Sequence, residues 1–242
     1  YYNNASKVVK TIVNSITAFG AVLMPRLSLY YSEKNTKQIK NDLSLFLKVI
    51  TMFTFPAAVG ILLTSEEIVM LLFGRDFYSS IITLKILSLL IILMPLSGGI
   101  FGQLLLTIGD EKKYFICVFF GAAINFILNF ILIRKYLENG AAVASIITEF
   151  CVVILMIFMS IKKIKLKFDY KYYLKIFFGI GIMSIFCIVF DNFNLQIGYL
   201  IKFLIKVVVS ILIYFIVLFL LKNEIIMSIF NKKRKCNKIS DE

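Results

Sequence analysis

Asn3, Lys7, Lys10 and Asn14 recur at i, i+4, i+7 and i+11, a spacing that puts four polar side chains on one face of a helix. Thr17 continues the line. Two ammonium groups a turn apart can hold a diphosphate better than a single charge could. The competing reading is that both lysines run their stems along apolar surface and place their charges among lipid headgroups. Glu149 is more unusual, because it lies deep in an apolar stretch, where an acidic side chain costs about 2.5–3.5 kcal/mol on membrane-insertion scales. Ala142, Ser145 and Glu149 share a face of small residues suited to helix contact, so the carboxyl is expected to point into a bundle. There it either couples to a proton or sodium ion, or stands protonated in a hydrogen bond to a neighbouring helix. Asn125 and Asn129, at i and i+4 with Gly121 in line, suit amide hydrogen bonds between helices. Lys48, Lys85, Lys202 and Lys206 fall near the ends of apolar runs, where snorkelling is the simplest reading.

The chain holds no histidine and four cysteines, Cys117, Cys151, Cys187 and Cys236, without C-x-x-C spacing. That excludes the usual zinc sites and histidine general-base chemistry; no metal and no cofactor are expected. The formal net charge of +13 sits in short clusters between apolar runs, not on a soluble basic stripe with interleaved aromatics. Nucleic acid is therefore not an expected partner.

The elements that must position these residues follow from composition. Hydrophobic residues make up 60% of the 242 and charged residues 17%, against about 45–50% and 25% in ordinary globular domains. A spanning helix needs about 20 mainly apolar residues. Seven runs qualify, at 5–28, 42–64, 81–107, 113–135, 138–161, 172–190 and 197–221. They are continuous, not alternating, and too long for barrel strands, so the expected class is an all-α integral membrane protein with a bundle of about seven transmembrane helices. TSEEIVMLLFGRDFYSS at 64–80 reads as a short amphipathic helix at the interface, stopped by Gly74. YSEKNTKQIKN at 31–41 reads as a second polar connector with a helical turn, and the chain after Leu221 as a basic tail. Pro25, Pro56 and Pro95 fall in apolar runs; Pro95, followed by two glycines in LMPLSGG, predicts a bend. Pro56 and Pro95 are hinge candidates, with helix shape alone as the alternative.

Lys and Arg concentrate on one side. The connections after the first, third, fifth and seventh helices, with the helix ends beside them, hold eighteen; the other side holds eight. The crowded side is expected to be cytoplasmic, which places the charged tip TIGDEKKYF at 107–115 and the C-terminus inside. An odd helix count then puts Tyr1 outside, and with no methionine before Met24 the chain is expected to be the C-terminal part of a longer one.

Several landmarks occur in order over residues 1–161. The first helix reads YYNNASKVVKTIVNSITAFGAVLMPRLS, with a Tyr–Ala–basic opening and a Pro-x-x-Ser close. FPAAVGILL, LLFGRDFYSS and GQLLLTIGDEKKY follow, then INFILNFILI with NGAAVASIITE. Together they resemble bacterial polysaccharide and lipid-linked oligosaccharide flippases (O-antigen flippase type) of the multidrug/oligosaccharidyl-lipid/polysaccharide exporter superfamily. The resemblance implies two six-helix lobes around a cavity, sometimes followed by two extra helices. On that likeness 1–161 are C-terminal lobe helices, 162–221 the last two transmembrane helices and 222–242 a basic cytoplasmic tail. No motif marks the last two helices.

The resemblance implies a transporter, not an enzyme, that moves a lipid-linked oligosaccharide or polysaccharide precursor across the bacterial inner membrane by alternating access, with ion coupling. The implied partners are a lipid-linked glycan of the polyprenyl pyrophosphate type and membrane lipids, with polysaccharide assembly proteins as further candidates. Lys7, Lys10 and Asn14 are the substrate-binding candidates, and Glu149 the ion-coupling candidate. A multidrug–cation antiporter of the same superfamily is the alternative, although its cavity is expected to be acidic where this stripe is basic. A membrane-embedded polysaccharide-modifying enzyme is disfavoured by the lack of histidine and of a long outer loop; a structural subunit is the last reading.

Overall fold

The computed structural model describes residues 1–18, 23–161, 169–193 and 198–228. The basic connection at 162–168 and the tail beyond 228, with Cys236, lie outside the described residues. The chain divides into two compact units, Tyr1–Lys167 and Phe168–Glu242.

In the first unit, α1 (Tyr2–Thr17) buries Ala5, Ser6, Val9 and Val13 and packs against α4 and α5, and α2 (Leu23–Ser32) packs against α3 and α6. The run at 5–28 is thus divided between two helices in the described residues, where a single spanning helix is expected from the sequence. Arg26 Nη1 lies 3.8 Å from Asp42 Oδ2, linking α2 to α3. The 31–41 connector is short: Asn35 caps α3 (Thr36–Leu72), its side chain accepting from the Gln38 N–H at 3.1 Å.

α3 is 37 residues long and runs through Pro56. It absorbs EEIVMLL, so the separate interfacial helix expected at 64–80 does not form. Nothing between Pro56 and Phe73 breaks the backbone, and Thr64 and Ser65 turn their hydroxyls back to the Gly60 and Leu62 carbonyls within the helix. Gly74, at φ +83°, ends it as the sequence predicts, and a 3₁₀ turn at Arg75–Phe77 follows.

Ser80–Thr107 is a 28-residue apolar path built from α4 (Ser80–Leu87), α5 (Leu90–Met94), a π-helical segment (Pro95–Phe101) and α6 (Gly102–Thr107). Pro95 has no N–H to give and its ring crowds the carbonyl four residues back; the chain answers by widening, and the Gly102 N–H bonds to Ser97 O. The bend expected at LMPLSGG takes this form. At the next turn Gly109 adopts φ +73°, and Lys113 Nζ pairs with Asp110 Oδ2 at 2.9 Å across the charged tip.

α7 (Glu111–Ile161) is interrupted at one residue, Leu137, with φ 48° and ψ −126°. Each half is long enough to span a bilayer, and the break falls between the predicted runs 113–135 and 138–161. The halves pack closely: a Cβ on Gly121 would collide with Val152, and one on Gly140 with the Leu132 carbonyl. Leu27, Leu43, Ile100, Leu104, Cys117 and Met156 belong to the core shared by α2, α3, the π segment, α6 and α7.

The second unit pairs α8 (Tyr170–Asp191) with α9 (Tyr199–Leu220). Its seam is polar where helices in lipid gain little from apolar contact. A Cβ on Gly179 would meet the Tyr214 ring at 3.2 Å, and Cys187 Sγ lies 3.1 Å from Ser210 Oγ. Lys206, read from sequence as a snorkelling residue, is instead buried: its Nζ sits 2.8 Å from Asp191 Oδ1, with side-chain exposures of 2% and 48%. Asp191 lies on α8, so periodicity along α9 could not reveal the pair. Lys202 does reach an end of the hairpin, donating to Phe193 O at 2.9 Å. Among the described residues, five helices are long and apolar enough to cross a membrane, one of them the interrupted α7.

Candidate functional site

The polar stripe of α1 lies on its outward face. Asn3, Lys7, Lys10 and Asn14 are exposed, as are Thr11 and Ser15, whose hydroxyls bond back to the Lys7 and Thr11 carbonyls at 2.8 and 2.9 Å. Ala5, Val9 and Val13 hold the opposite face against the bundle. Lys7 and Lys10 are about 4.5 Å apart along the helix axis, and among the described residues neither has a carboxylate partner. A lysine at the centre of a bilayer costs about 2.5–3.5 kcal/mol on insertion scales, so two unpaired ammonium groups favour water, an anion or lipid headgroups over acyl chains.

A second polar region lies where the π segment meets both halves of α7. It is an open pocket of about 380 Å³. Ser97 from the π segment donates its hydroxyl to Glu149 Oε1. Asn125 Nδ2 donates to Thr148 Oγ1 at 3.2 Å, joining the two halves of α7, and Asn129 Nδ2 donates to Asn125 Oδ1 at 2.8 Å. Asn129 Oδ1 is buried without a hydrogen-bond partner. Among the described residues no group of three or more His, Cys, Asp or Glu stands together as a metal site.

Glu149 and Asn125 therefore share one pocket, with Asn129 attached through Asn125, while Lys7, Lys10 and Asn14 occupy a separate face. Pro95 opens the segment that carries Ser97; Pro56 is not among the pocket residues. Two contacts bridge the regions. Tyr2 Oη and Ser145 Oγ are 2.9 Å apart, and a Cβ on Gly99 would sit 3.5 Å from Thr17 Cγ2. Ser97, Tyr114 and Thr148 escape a reading of single helices, because each acquires its role from another element. The available signal for Ser97 is its place two residues after a mid-helix proline.

Comparison with known proteins follows the same lines. Residues 1–209 match the family described as "Lipid II flippase MurJ". The chain is 26% identical over 170 residues to the "Probable low-salt glycan biosynthesis flippase Agl15" of Haloferax volcanii, covering 70% of this chain and 36% of that protein. The fold resembles that of "Lipid II flippase MurJ, inward closed conformation" with a TM-score of 0.76 at 23% identity, over 93% of this chain and 47% of the other. The chain thus spans less than half the length of either relative. The apolar helices and these similarities make it an all-α, multi-pass integral membrane protein.

Proposed function

This chain belongs to the lipid II flippase MurJ family, and on that premise we propose that it is part of a flippase carrying a lipid-linked glycan precursor across the bacterial inner membrane by alternating access. On this reading residues 1–161 form helices of the C-terminal lobe, 162–221 two further spanning helices and 222–242 a basic cytoplasmic tail. The observation that carries it is the exposed stripe of α1. Lys7, Lys10 and Asn14 stand on a face with no protein partner among the described residues, on a helix whose other side is packed into a membrane bundle. A wet cavity between lobes satisfies that face, and an anionic pyrophosphate on a polyprenyl carrier complements its charge. The work is electrostatic: the cations offset removal of the diphosphate from water, and no covalent step on the substrate is needed.

Glu149 is the candidate for ion coupling, Asn125, bonded in turn by Asn129, holds the halves of α7 together, and Pro56 and Pro95 are the hinge candidates for motion between two states. The excess of Lys and Arg supports a cytoplasmic position for the tip at 107–115 and for the C-terminal tail. The membrane lipids around the bundle and polysaccharide assembly proteins are the remaining partners of this reading.

The test replaces both lysines by alanine in the intact protein in cells. Lipid-linked glycan should accumulate on the cytoplasmic side while the protein remains in the membrane at normal abundance. Normal surface glycan from the Lys7→Ala/Lys10→Ala double variant would overturn the assignment of the stripe.

A further inference from the structure

We propose that Glu149 is a proton-binding site read by Ser97, and that the π segment carries its protonation state to the polar face of α1. This rests on the coupling role given to Glu149 above and assigns it an ion and a route.

A serine hydroxyl has one hydrogen to give. Ser97 Oγ has two acceptors within reach, Glu149 Oε1 and the Met94 carbonyl oxygen, the latter at 3.1 Å. With Glu149 ionised, the hydrogen goes to the carboxylate, the stronger acceptor. When a proton arrives through the open pocket it stays on Glu149. The carboxyl O–H then donates to Ser97 Oγ, and the serine hydrogen swings to Met94 O. Nothing but the hydroxyl rotates, yet the hydrogen bonding changes at the residue preceding Pro95, where the helix widens. Short π-helical departures of this kind recur at functional sites.

The surroundings of the carboxyl favour a proton over a metal ion. The pocket it shares is lined by Ser97 and Gly98 from the π segment, by Tyr114, Val118, Gly121, Ala122 and Asn125 from the first half of α7, and by Thr148, Val152 and Met156 from its own half. Tyr114 is the only other titratable group in that set; no lysine, arginine or second carboxylate is among them. The Asn125 carbonyl oxygen is taken by Asn129, and Thr148 Oγ1 accepts from Asn125. A hard cation is held by several oxygens, carboxylates foremost, and Glu149 supplies the one carboxylate among the pocket residues.

The π segment also touches α1. Gly99 packs on the Thr17 methyl, and Thr17 Oγ1 donates to the carbonyl of Asn14, a stripe residue, at 3.2 Å. A shift of the π segment that follows the rebonding of Ser97 therefore bears on the Asn14 end of the stripe that also carries Lys7 and Lys10.

The experiment uses the full-length protein, purified for infrared difference spectroscopy across pH and reconstituted in proteoliposomes with fluorescently labelled lipid II as the transport probe. Wild type should give a carboxylic-acid C=O band that appears with acidification and is lost in Glu149→Gln. The band should move to higher frequency in Ser97→Ala, where the acid loses its acceptor, and return in Ser97→Thr. The pH dependence of lipid movement should disappear in Glu149→Gln. Gly99→Val should keep the band and slow movement at every pH. A band unaffected by Glu149→Gln, or unmoved by Ser97→Ala, overturns the proton site. A sodium dependence abolished by Glu149→Gln does the same. Unchanged movement in Gly99→Val removes the route to α1. If wild type moves no labelled lipid at any pH, the flippase reading fails while the infrared result still decides the proton site. If it does, and Glu149→Gln keeps its pH dependence, the coupling fails and the flippase reading stands.

Discussion

The hydroxyls of Tyr2 and Ser145 lie 2.9 Å apart, tying the start of α1 to the second half of α7 one turn before Glu149. The helix with the candidate substrate face and the helix with the candidate coupling residue are thus joined directly. Hydrogen bonds between membrane helices are worth about 0.6 kcal/mol on average. Tyr2→Phe and Ser145→Ala should each lower stability by about that amount, and the double variant should lose no more than either single one. Thermal unfolding of the four proteins in detergent checks this; additive losses would mean the two residues act apart.

The stripe of α1 should require charge more than side-chain shape. In the intact protein, Lys7→Arg/Lys10→Arg should retain glycan export, while Lys7→Gln/Lys10→Gln should not. Arginine keeps the cation at any physiological pH and adds a planar fork that suits phosphate oxygens. Surface glycan measured in cells complemented with each variant separates the two outcomes.

Asp191 and Lys206 should respond unequally to mutation. Lys206 is almost wholly buried and Asp191 is half exposed, so Asp191→Ala takes the carboxylate away from a buried ammonium, and breaking a buried pair from that side costs about 3 kcal/mol. Lys206→Met removes the buried charge and leaves a carboxylate that water can reach, and it should be much milder. Equal losses in a detergent melt would contradict this ordering.

Gly121 marks a close side-chain approach between the two halves of α7. Gly121→Ala places a methyl group against Val152 and should destabilise by about 1–3 kcal/mol, as overpacking does. Val152→Ala in the same chain should recover most of that loss. A Gly121→Ala protein as stable as wild type would mean that the halves can separate at no cost.

The orientation taken from Lys and Arg predicts that a cysteine replacing Lys112 is labelled by an impermeant maleimide only from the cytoplasmic face, and one replacing Asp76 only from the opposite face. Cys117 and Cys187 are buried, and Cys151 and Cys236 are first replaced by serine. Both residues labelled from one face would refute the topology.

Much of this architecture was legible in single runs of sequence. Leu137 falls in the gap between two apolar runs, and Gly74 stops a helix where its freedom at positive φ is needed. Pro95 signalled a distortion, but not that it would take the π form, because that depends on the Gly102 N–H finding Ser97 O. The interfacial helix expected at 64–80 failed because polarity predicts where a helix meets water, not where its backbone ends. The glutamate stood out by its cost in lipid, whereas Ser97, Thr148 and Asp191 gain meaning only from partners on other elements. Ordinary residues become site residues by juxtaposition, which periodicity along one helix does not record.

The one-residue break at Leu137 has a consequence for biogenesis. With no loop between its halves and Asn125 bonded to Thr148 across them, α7 suits entry into the bilayer as a closed hairpin instead of two helices in succession. The amides of Asn125 and Asn129 would then meet their partners before they meet acyl chains, and the energetic unit handed to the insertion machinery is the pair. Lengthening the break with a flexible insert should therefore damage membrane integration more than the same insert beside Gly74, where the chain is already in a loop.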